Sequence, residues 1–403
     1  MANAFSPFLI LVTAGMLSRF SYQMARSPVL PRFAQDLGSS PELIGLIVAA
    51  STITGIFIKL PAGALSDILG RRRMMLLGAL FFAGPPFLYP FVTDPVSLLL
   101  LRFLHGFATA IFSPVASAYV ADIFQKGRGT KLGWFASAND VGATMGPMIG
   151  GFILFYTASY PTTYLVVGGL GLLPFLMVLR LPAEDRAPSP ATTNPARWAE
   201  FKKGIFEVVS SRTVIIASLL EAAMYVGYGA FLAFFPIYAK GIGHNDAAIG
   251  LIMGGQLATT VVGKPAGGWL SDRIGRKPMI LLGLVLCAVT LPLVITGKGF
   301  LTLLLLSSLF GLGVAIVTPS TTALVADLAR TGRMGSAMGV FGTIWDSGEA
   351  AGPILAGFLI GSIGYFNGFL IISGLMVVAA VIFAITIKDP TITATNQAKK
   401  DSA

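Results

Sequence analysis

The chain has 403 residues, 55% of them hydrophobic and only 11% charged, with a formal net charge of +10. A soluble domain carries roughly a quarter of charged residues, so a water-soluble enzyme or binding module is excluded at the outset. The one cysteine, Cys287, lies in an apolar run, which excludes an intrachain disulfide and any cysteine-based metal site.

Twelve apolar spans of about 20 residues are predicted. They fall near 6–28, 42–65, 74–92, 97–120, 132–156, 162–180, 213–236, 246–269, 279–296, 300–325, 334–358 and 364–386. The first has no basic residue before Arg19 and reads as a span, not a cleaved signal. Prolines and many of the 47 glycines lie inside spans, where kinks are tolerated and small residues let helix backbones approach.

Basic residues cluster on alternate loops. One side carries Arg71, Arg72, Arg73, Lys126, Arg128, Lys131, Arg273, Arg276, Lys277, Arg330 and Arg333, and the central linker adds six more. The other side has Arg32, Lys240 and Lys298. The positive-inside rule makes the first side cytoplasmic, and an even span count puts both termini there. The same placement argues against a nucleic-acid surface. In the linker, Pro182 to Pro195 reads as irregular, whereas Trp198, Phe201, Ile205, Phe206 and Val209 recur at helical spacing around Lys202 and Lys203. A short amphipathic helix on the cytoplasmic face of the bilayer is expected there, a plain tether being the alternative.

The two halves repeat. Ser66-Asp67-Ile68-Leu69-Gly70-Arg71-Arg72 is matched by Ser271-Asp272-Arg273-Ile274-Gly275-Arg276-Lys277. At the same offset Lys59 matches Lys264, Gly106 matches Gly311, Pro114 matches Pro319 and Asp122 matches Asp327. After one inserted residue Asp140 matches Asp346, and Gly146-Pro147 matches Gly352-Pro353. Internal repeats of this kind mark secondary transporters.

These motifs resemble those of the major facilitator superfamily along essentially the whole chain. Gly63 to Arg73 is similar to that family's loop 2–3 signature, and Gly268 to Lys277 to the weaker copy in loop 8–9. Arg102 and Gly106 resemble its fourth-helix motif; Gly142, Gly146, Pro147, Gly150 and Gly151 resemble the fifth-helix motif of twelve-helix drug:proton antiporters. The resemblance implies an all-α membrane protein with twelve transmembrane helices in two pseudo-symmetric six-helix bundles, residues 1–180 and 213–388. Between them lies the linker 181–212, with a cytoplasmic tail at 389–403. It also implies a central cavity exposed alternately to each side, and proton-driven export more than uptake.

Asp67 sits where a span meets the cytoplasm, suited to accept hydrogen bonds from a helix N-terminus; the resemblance makes that helix span eleven. Arg71, four residues on, can pair with Asp122, and Asp272, Arg276 and Asp327 form the matching set. Such clusters lock the cytoplasmic side, the alternative being simple anchoring by solvated basic loops. The span-five glycines and Pro147 suit either a bend at the seam between halves or tight packing.

Intramembrane ionisable residues carry the main functional signal, since each is costly against lipid. They are Arg19, Arg26, Lys59, Arg102, His105, Asp140, Glu221, Lys264, Asp346 and Glu349. Asp140 and Glu221 are the leading candidates for carrying a coupled proton, with Asp346 and Glu349 as competitors; Arg102 and His105 can tune such a group. Lys59 and Lys264 are gating candidates: each lies about 12 Å inside its loop aspartate. In the resembled fold Lys59 faces Asp346 and Lys264 faces Asp140; pairing within each half is the alternative. Tyr22, Tyr225, Tyr228 and Trp345, with Phe231 and Phe235, suit a cavity wall or a helix interface.

The expected function is proton-coupled export of a small organic or amphipathic compound by a monomer in the inner or plasma membrane. The alternative is proton-coupled or facilitated uptake of a sugar, organic acid or related metabolite. Neither needs a cofactor or metal, and no ATP-binding, metalloprotease or serine-nucleophile motif is present to support enzyme chemistry.

Overall fold

A computed structural model describes residues 2–124, 127–182, 206, 210–328 and 334–387. Every regular element among them is helical. In chain order these are α1 (Ala2–Arg26), α2 (Val29–Asp36), α3 (Pro41–Leu69), α4 (Arg71–Ala83) continued by a 3-10 segment (Pro85–Phe91), α5 (Pro95–Ile123), α6 (Arg128–Thr157) and α7 (Tyr160–Leu179). Then come α8 (Arg212–Gly241), α9 (Asp246–Ile274), α10 (Arg276–Val294), α11 (Phe300–Leu328) and α12 (Met334–Thr386). Of the expected amphipathic linker helix only Phe206 is described, and it is exposed; the rest of that segment, the tail, Lys126, Arg330 and Arg333 lie outside the described residues.

Among the described residues, nine helices are long and apolar enough to cross a membrane. The expected spans 6–28 and 132–156 fold as α1 and α6, which are not among the nine. Ser18, Arg19, Ser21, Gln23 and Arg26 dilute α1, and Asn139, Asp140 and the glycines dilute α6. The spans near 334–358 and 364–386 lie in one long helix whose backbone breaks at Gly364 (φ 81°, ψ 172°). Large apolar side chains such as Phe57, Leu100, Val262 and Ile385 face outward, while Arg102, His105 and Glu221 have no exposed surface. Apolar outside and charge inside is the arrangement of a multi-pass integral membrane protein.

Helix starts follow local chemistry. Ser40, Asp94 and Ser159 each turn a side-chain oxygen onto free N–H groups of α3, α5 and α7, with proline in the first positions of each helix. At α5 the Asp94 carboxylate accepts from the Val96 and Ser97 N–H groups at 2.9 and 3.0 Å. Hydrogen bonding by Ser97, side chain first and then backbone, holds the Asp94 carboxyl below the usual carboxylate range. The two repeat loops turn at Gly70 (φ 93°) and Gly275 (φ 112°), where a side chain would be strained.

The chain divides into two compact units. Unit 1 is Met1–Asn194 with Leu232–Gly254; unit 2 is Pro195–Phe231 with Gly255–Ala403. The hairpin formed by the end of α8 and the start of α9 thus belongs with the first half. Gly151 of α6 packs onto the Asp246 and Gly250 backbone there.

Each unit uses the same packing device. In unit 1 the Gly142 and Gly146 face of α6 lies directly on the α1 backbone at Met16 and at Gln23 and Met24, and Gly106 of α5 lies on Ser51 and Thr54 of α3. In unit 2 Gly348 and Gly352 of α12 lie on Ala222 and Val226 of α8, and Gly311 of α11 lies on Gln256 and Thr260 of α9. The helix α6 runs through Pro147 without interruption. Without a hydrophobic force between helices in lipid, such close backbone contact supplies the association energy.

A methyl group at either position 142 or 348 would meet a carbonyl oxygen of the facing helix. Gly142→Val and Gly348→Val should therefore each cost about 1–3 kcal/mol, seen as a lower thermal unfolding midpoint in detergent. Gly169→Ala, at an open position, should leave the midpoint unchanged or slightly higher. Equal midpoints for all three variants would refute the packing role.

Candidate functional site

The first cluster of interest lies in unit 1. Arg102 and His105, one turn apart on α5, share a face of that helix. The Arg102 guanidinium donates to Ser51 Oγ of α3 at 3.0 Å, to the Tyr22 hydroxyl of α1 at 3.4 Å and to His105 Nδ1 at 3.4 Å. It also lies 5.0 Å from the Tyr22 ring centroid. A guanidinium can only donate, so His105 Nδ1 accepts, and the ring is neutral with its hydrogen on Nε2. The Tyr89 hydroxyl lies 3.2 Å from the same Nδ1 and shares that nitrogen's single lone pair with Arg102. Tyr89 stacks on Tyr164 (3.8 Å, 6°), whose hydroxyl donates to the Ala25 carbonyl at 3.2 Å. The structure thus brings together Tyr22, Arg102 and His105 as expected, and adds Ser51, Tyr89 and Tyr164.

Arg26 closes α1 and reaches Thr52 of α3 at 3.4 Å. Arg19 is half-buried on the same helix, three residues before Tyr22, and Lys59 and Asp140 are half-buried on α3 and α6.

A second cluster in unit 1 escaped sequence reasoning. Residues 29–36 read as a loop but fold as α2, whose Arg32 is almost fully buried. Arg32 Nε faces Asp246 Oδ1 at 3.5 Å, and Lys240 Nζ holds Asp246 Oδ2 at 2.7 Å. Arg32 also donates to Gln35 at 2.5 Å and lies 3.7 Å from Asp36, which accepts from the Tyr160 hydroxyl at 2.5 Å. The signal was present: Arg32 and Lys240 are two of the three basic residues on their side, beside an aspartate at a helix start.

Unit 2 carries the acidic counterpart. Glu221 of α8 has no exposed surface; its Oε2 accepts from the Thr321 hydroxyl of α11, and Lys264 lies within electrostatic range. One turn on, Tyr225 packs edge-on against Trp345 at 4.6 Å and against Tyr228 at 5.7 Å. Asp346 is buried and Glu349 half-buried on α12, and Glu349 acts electrostatically on Tyr225. Phe231 packs on Phe310, and it and Phe235 have no exposed surface, as residues of a helix interface do.

The repeat loops form matching charge clusters. Arg71 reaches Asp122 at 3.1 Å and also contacts Asp67 and Ser66. Arg276 reaches Asp327 at 3.2 Å and contacts Asp272, with Ser271 at 3.4 Å. The next basic residue in each copy caps the last helix of its half: Arg72 donates to the Leu179 carbonyl at 2.7 Å and Lys277 to Ala384 at 2.6 Å.

Asp246→Asn removes the charge that Arg32 and Lys240 share and leaves Arg32 only its longer contact to Asp36. The variant should lose about 2 kcal/mol, between the values for exposed and fully buried pairs, read as a lower unfolding midpoint. Adding Lys240→Met to it should recover part of the loss. A variant that melts like the parent would show that the cluster is energetically idle.

The Major Facilitator Superfamily family model matches residues 11–245 and 217–403. Multidrug resistance protein 2 of Bacillus subtilis is 28% identical over 362 residues, covering 86% of this chain and 88% of that protein. Quinolone resistance protein NorA of Staphylococcus aureus is 25% identical over 358 residues, covering 88% of each. Among solved structures, a D-xylose–proton symporter superposes with a TM-score of 0.77 at 18% identity, over 96% of this chain and 98% of that one. The duplicated loops, the charged helix interiors and these matches agree: the chain belongs to the Major Facilitator Superfamily, and its role is secondary transport of a small organic solute, not catalysis.

Proposed function

We propose that this protein couples proton movement to the transport of a small polar organic solute across the inner or plasma membrane. It does so as a monomer of twelve transmembrane helices in two bundles, with both termini cytoplasmic. The observation that carries the reading is Glu221, a carboxylate without exposed surface inside an apolar helix, beside a hydroxyl and an aromatic cluster. An ionised carboxylate in that place is costly, and an intramembrane residue of this kind marks a functional site. Protonation from one side and release to the other, timed by alternating access, gives such a change a purpose. Asp140 is the matching candidate in the first half, and Asp346 and Glu349 adjoin the aromatic group. In unit 2, Tyr225, Tyr228 and Trp345 offer the solute an aromatic face; in unit 1, Arg19, Arg26 and His105 set the charge around Tyr22 and Arg102. The clusters around Arg71 and Arg276, with Lys59 and Lys264, serve as gates.

Two directions suit such a machine. Uptake of a sugar, organic acid or related metabolite is favoured by the charged and hydroxyl-rich helix interiors, which match a polar solute, and by the fold-level likeness to a sugar–proton symporter. Export is favoured by relatives named for drug resistance. Right-side-out and inside-out vesicles under an imposed proton gradient separate them: symport accumulates solute with the proton, antiport against it.

Glu221→Gln and Asp140→Asn test the coupling. The variant at the coupling carboxylate should lose gradient-driven accumulation by more than tenfold while retaining energy-independent solute exchange. If both variants keep full gradient-driven transport, neither residue carries the proton.

A further inference from the structure

Arg102 is among the largest fully buried side chains in the protein. Burying a guanidinium costs several kcal/mol unless a negative charge compensates it. Its partners are the Ser51 and Tyr22 hydroxyls and a neutral imidazole. The groups that act on it electrostatically are Tyr22, Tyr89 and Tyr164, with no carboxylate among them. The contrast with Arg32, Arg71 and Arg276 is sharp, since each of those meets at least one aspartate.

The hydrogen-bond inventory points the same way. Arg102 Nε is buried without a partner, and so is His105 Nε2. The first is always an N–H, and the second becomes one because Nδ1 is committed as an acceptor. Two residues one turn apart on one helix face therefore lack acceptors, and among the described residues no carboxylate meets the guanidinium. What the site lacks is one chemical object: an anionic oxygen acceptor. Neutral sugars and alcohols satisfy the hydrogen bonds but not the charge, and organic cations add a second charge of the same sign.

We infer that Arg102, positioned by His105 and Ser51, is the recognition residue for a carboxylate group of the transported solute, so that the substrate class is organic anions. Arg102 supplies the charge and a planar fork that matches a carboxylate. His105 is a positioning residue: as an acceptor it holds one arm of the guanidinium, and its own Nε2–H adds a donor. The inference rests on the transport reading above and narrows its solute.

Binding to purified protein in detergent tests it apart from transport. The probes are benzoate and succinate, with benzamide and succinamide as their uncharged counterparts, and with chloride and inorganic phosphate as simple anions. At least one carboxylate should raise the unfolding midpoint with dose, and its amide should not. Arg102→Met should abolish the shift. Arg102→Lys, which keeps the charge but not the fork, should weaken apparent affinity about tenfold. His105→Gln, whose amide oxygen can still accept, should bind better than His105→Phe. Should Arg102→Met fail to fold, the Lys, Gln and Phe variants still decide the matter. Equal shifts from acid and amide, undiminished shifts in the Arg102 variants, or equal Arg102-dependent protection by chloride or phosphate would overturn the assignment. So would a tyrosinate absorbance band at neutral pH that disappears in Tyr22→Phe, because Tyr22 would then supply the missing charge. Proton-coupled transport of a neutral or cationic solute by a protein that binds no carboxylate would sink this inference alone. Carboxylate binding without proton-linked transport in sealed vesicles would sink the coupling alone.

Discussion

The bilayer offers no hydrogen-bond partner to a peptide group, and the rest of this structure follows from that constraint. Each spanning segment must satisfy its backbone internally, so the described elements are helices, and their starts are closed by Ser40, Asp94 and Ser159. Lipid also removes the hydrophobic force that would otherwise press helices together. Contact then depends on how near two backbones can come. Glycine decides that distance, which explains why Gly142 and Gly146 in one half and Gly348 and Gly352 in the other lie against the backbone of the facing helix.

The same medium sets the terms for charge. Three solutions coexist. Arg32 and Lys240 are answered by Asp246 and Asp36 through ion pairs near helix ends. Glu221 is held by a hydroxyl, with a lysine at a distance. Arg102 is surrounded by hydroxyls and an imidazole. The first arrangement is self-sufficient and suits a structural clasp. The other two answer a buried charge less directly than an ion pair does. An ion pair already complete has little to gain from a proton or a solute.

Much of this was legible in the sequence because duplication writes the same instruction twice. Gly70 and Gly275 recur because both loops need a positive φ. Arg71 with Asp122 and Arg276 with Asp327 recur because the same two helix ends meet in each half. What has no second copy was not legible. In the first half α2 intervenes between two spans, whereas α8 passes to α9 through a short turn, so the repeat gave no hint of Arg32 or its distant partner Asp246. The Tyr89–Tyr164 stack joins a 3-10 segment to α7, and no periodicity connects those positions. Arg102 and His105 were visible as unusual residues, but Ser51 was an ordinary serine until the glycine contact at Gly106 brought α3 against α5.

The two loop clusters are alike in geometry but not in exposure. The Asp67 side chain is 41% exposed and that of Asp272 is 64%; Asp122 is 27% and Asp327 is 42% exposed. Mobile ions screen exposed charges within about 8 Å at physiological ionic strength and reach sheltered ones much less. The duplicate copies therefore respond differently to the same salt. The sheltered pair keeps its grip as ionic strength rises, while the exposed pair loosens first. A duplication that began with equal halves has in this way become more sensitive to its surroundings on one side than on the other.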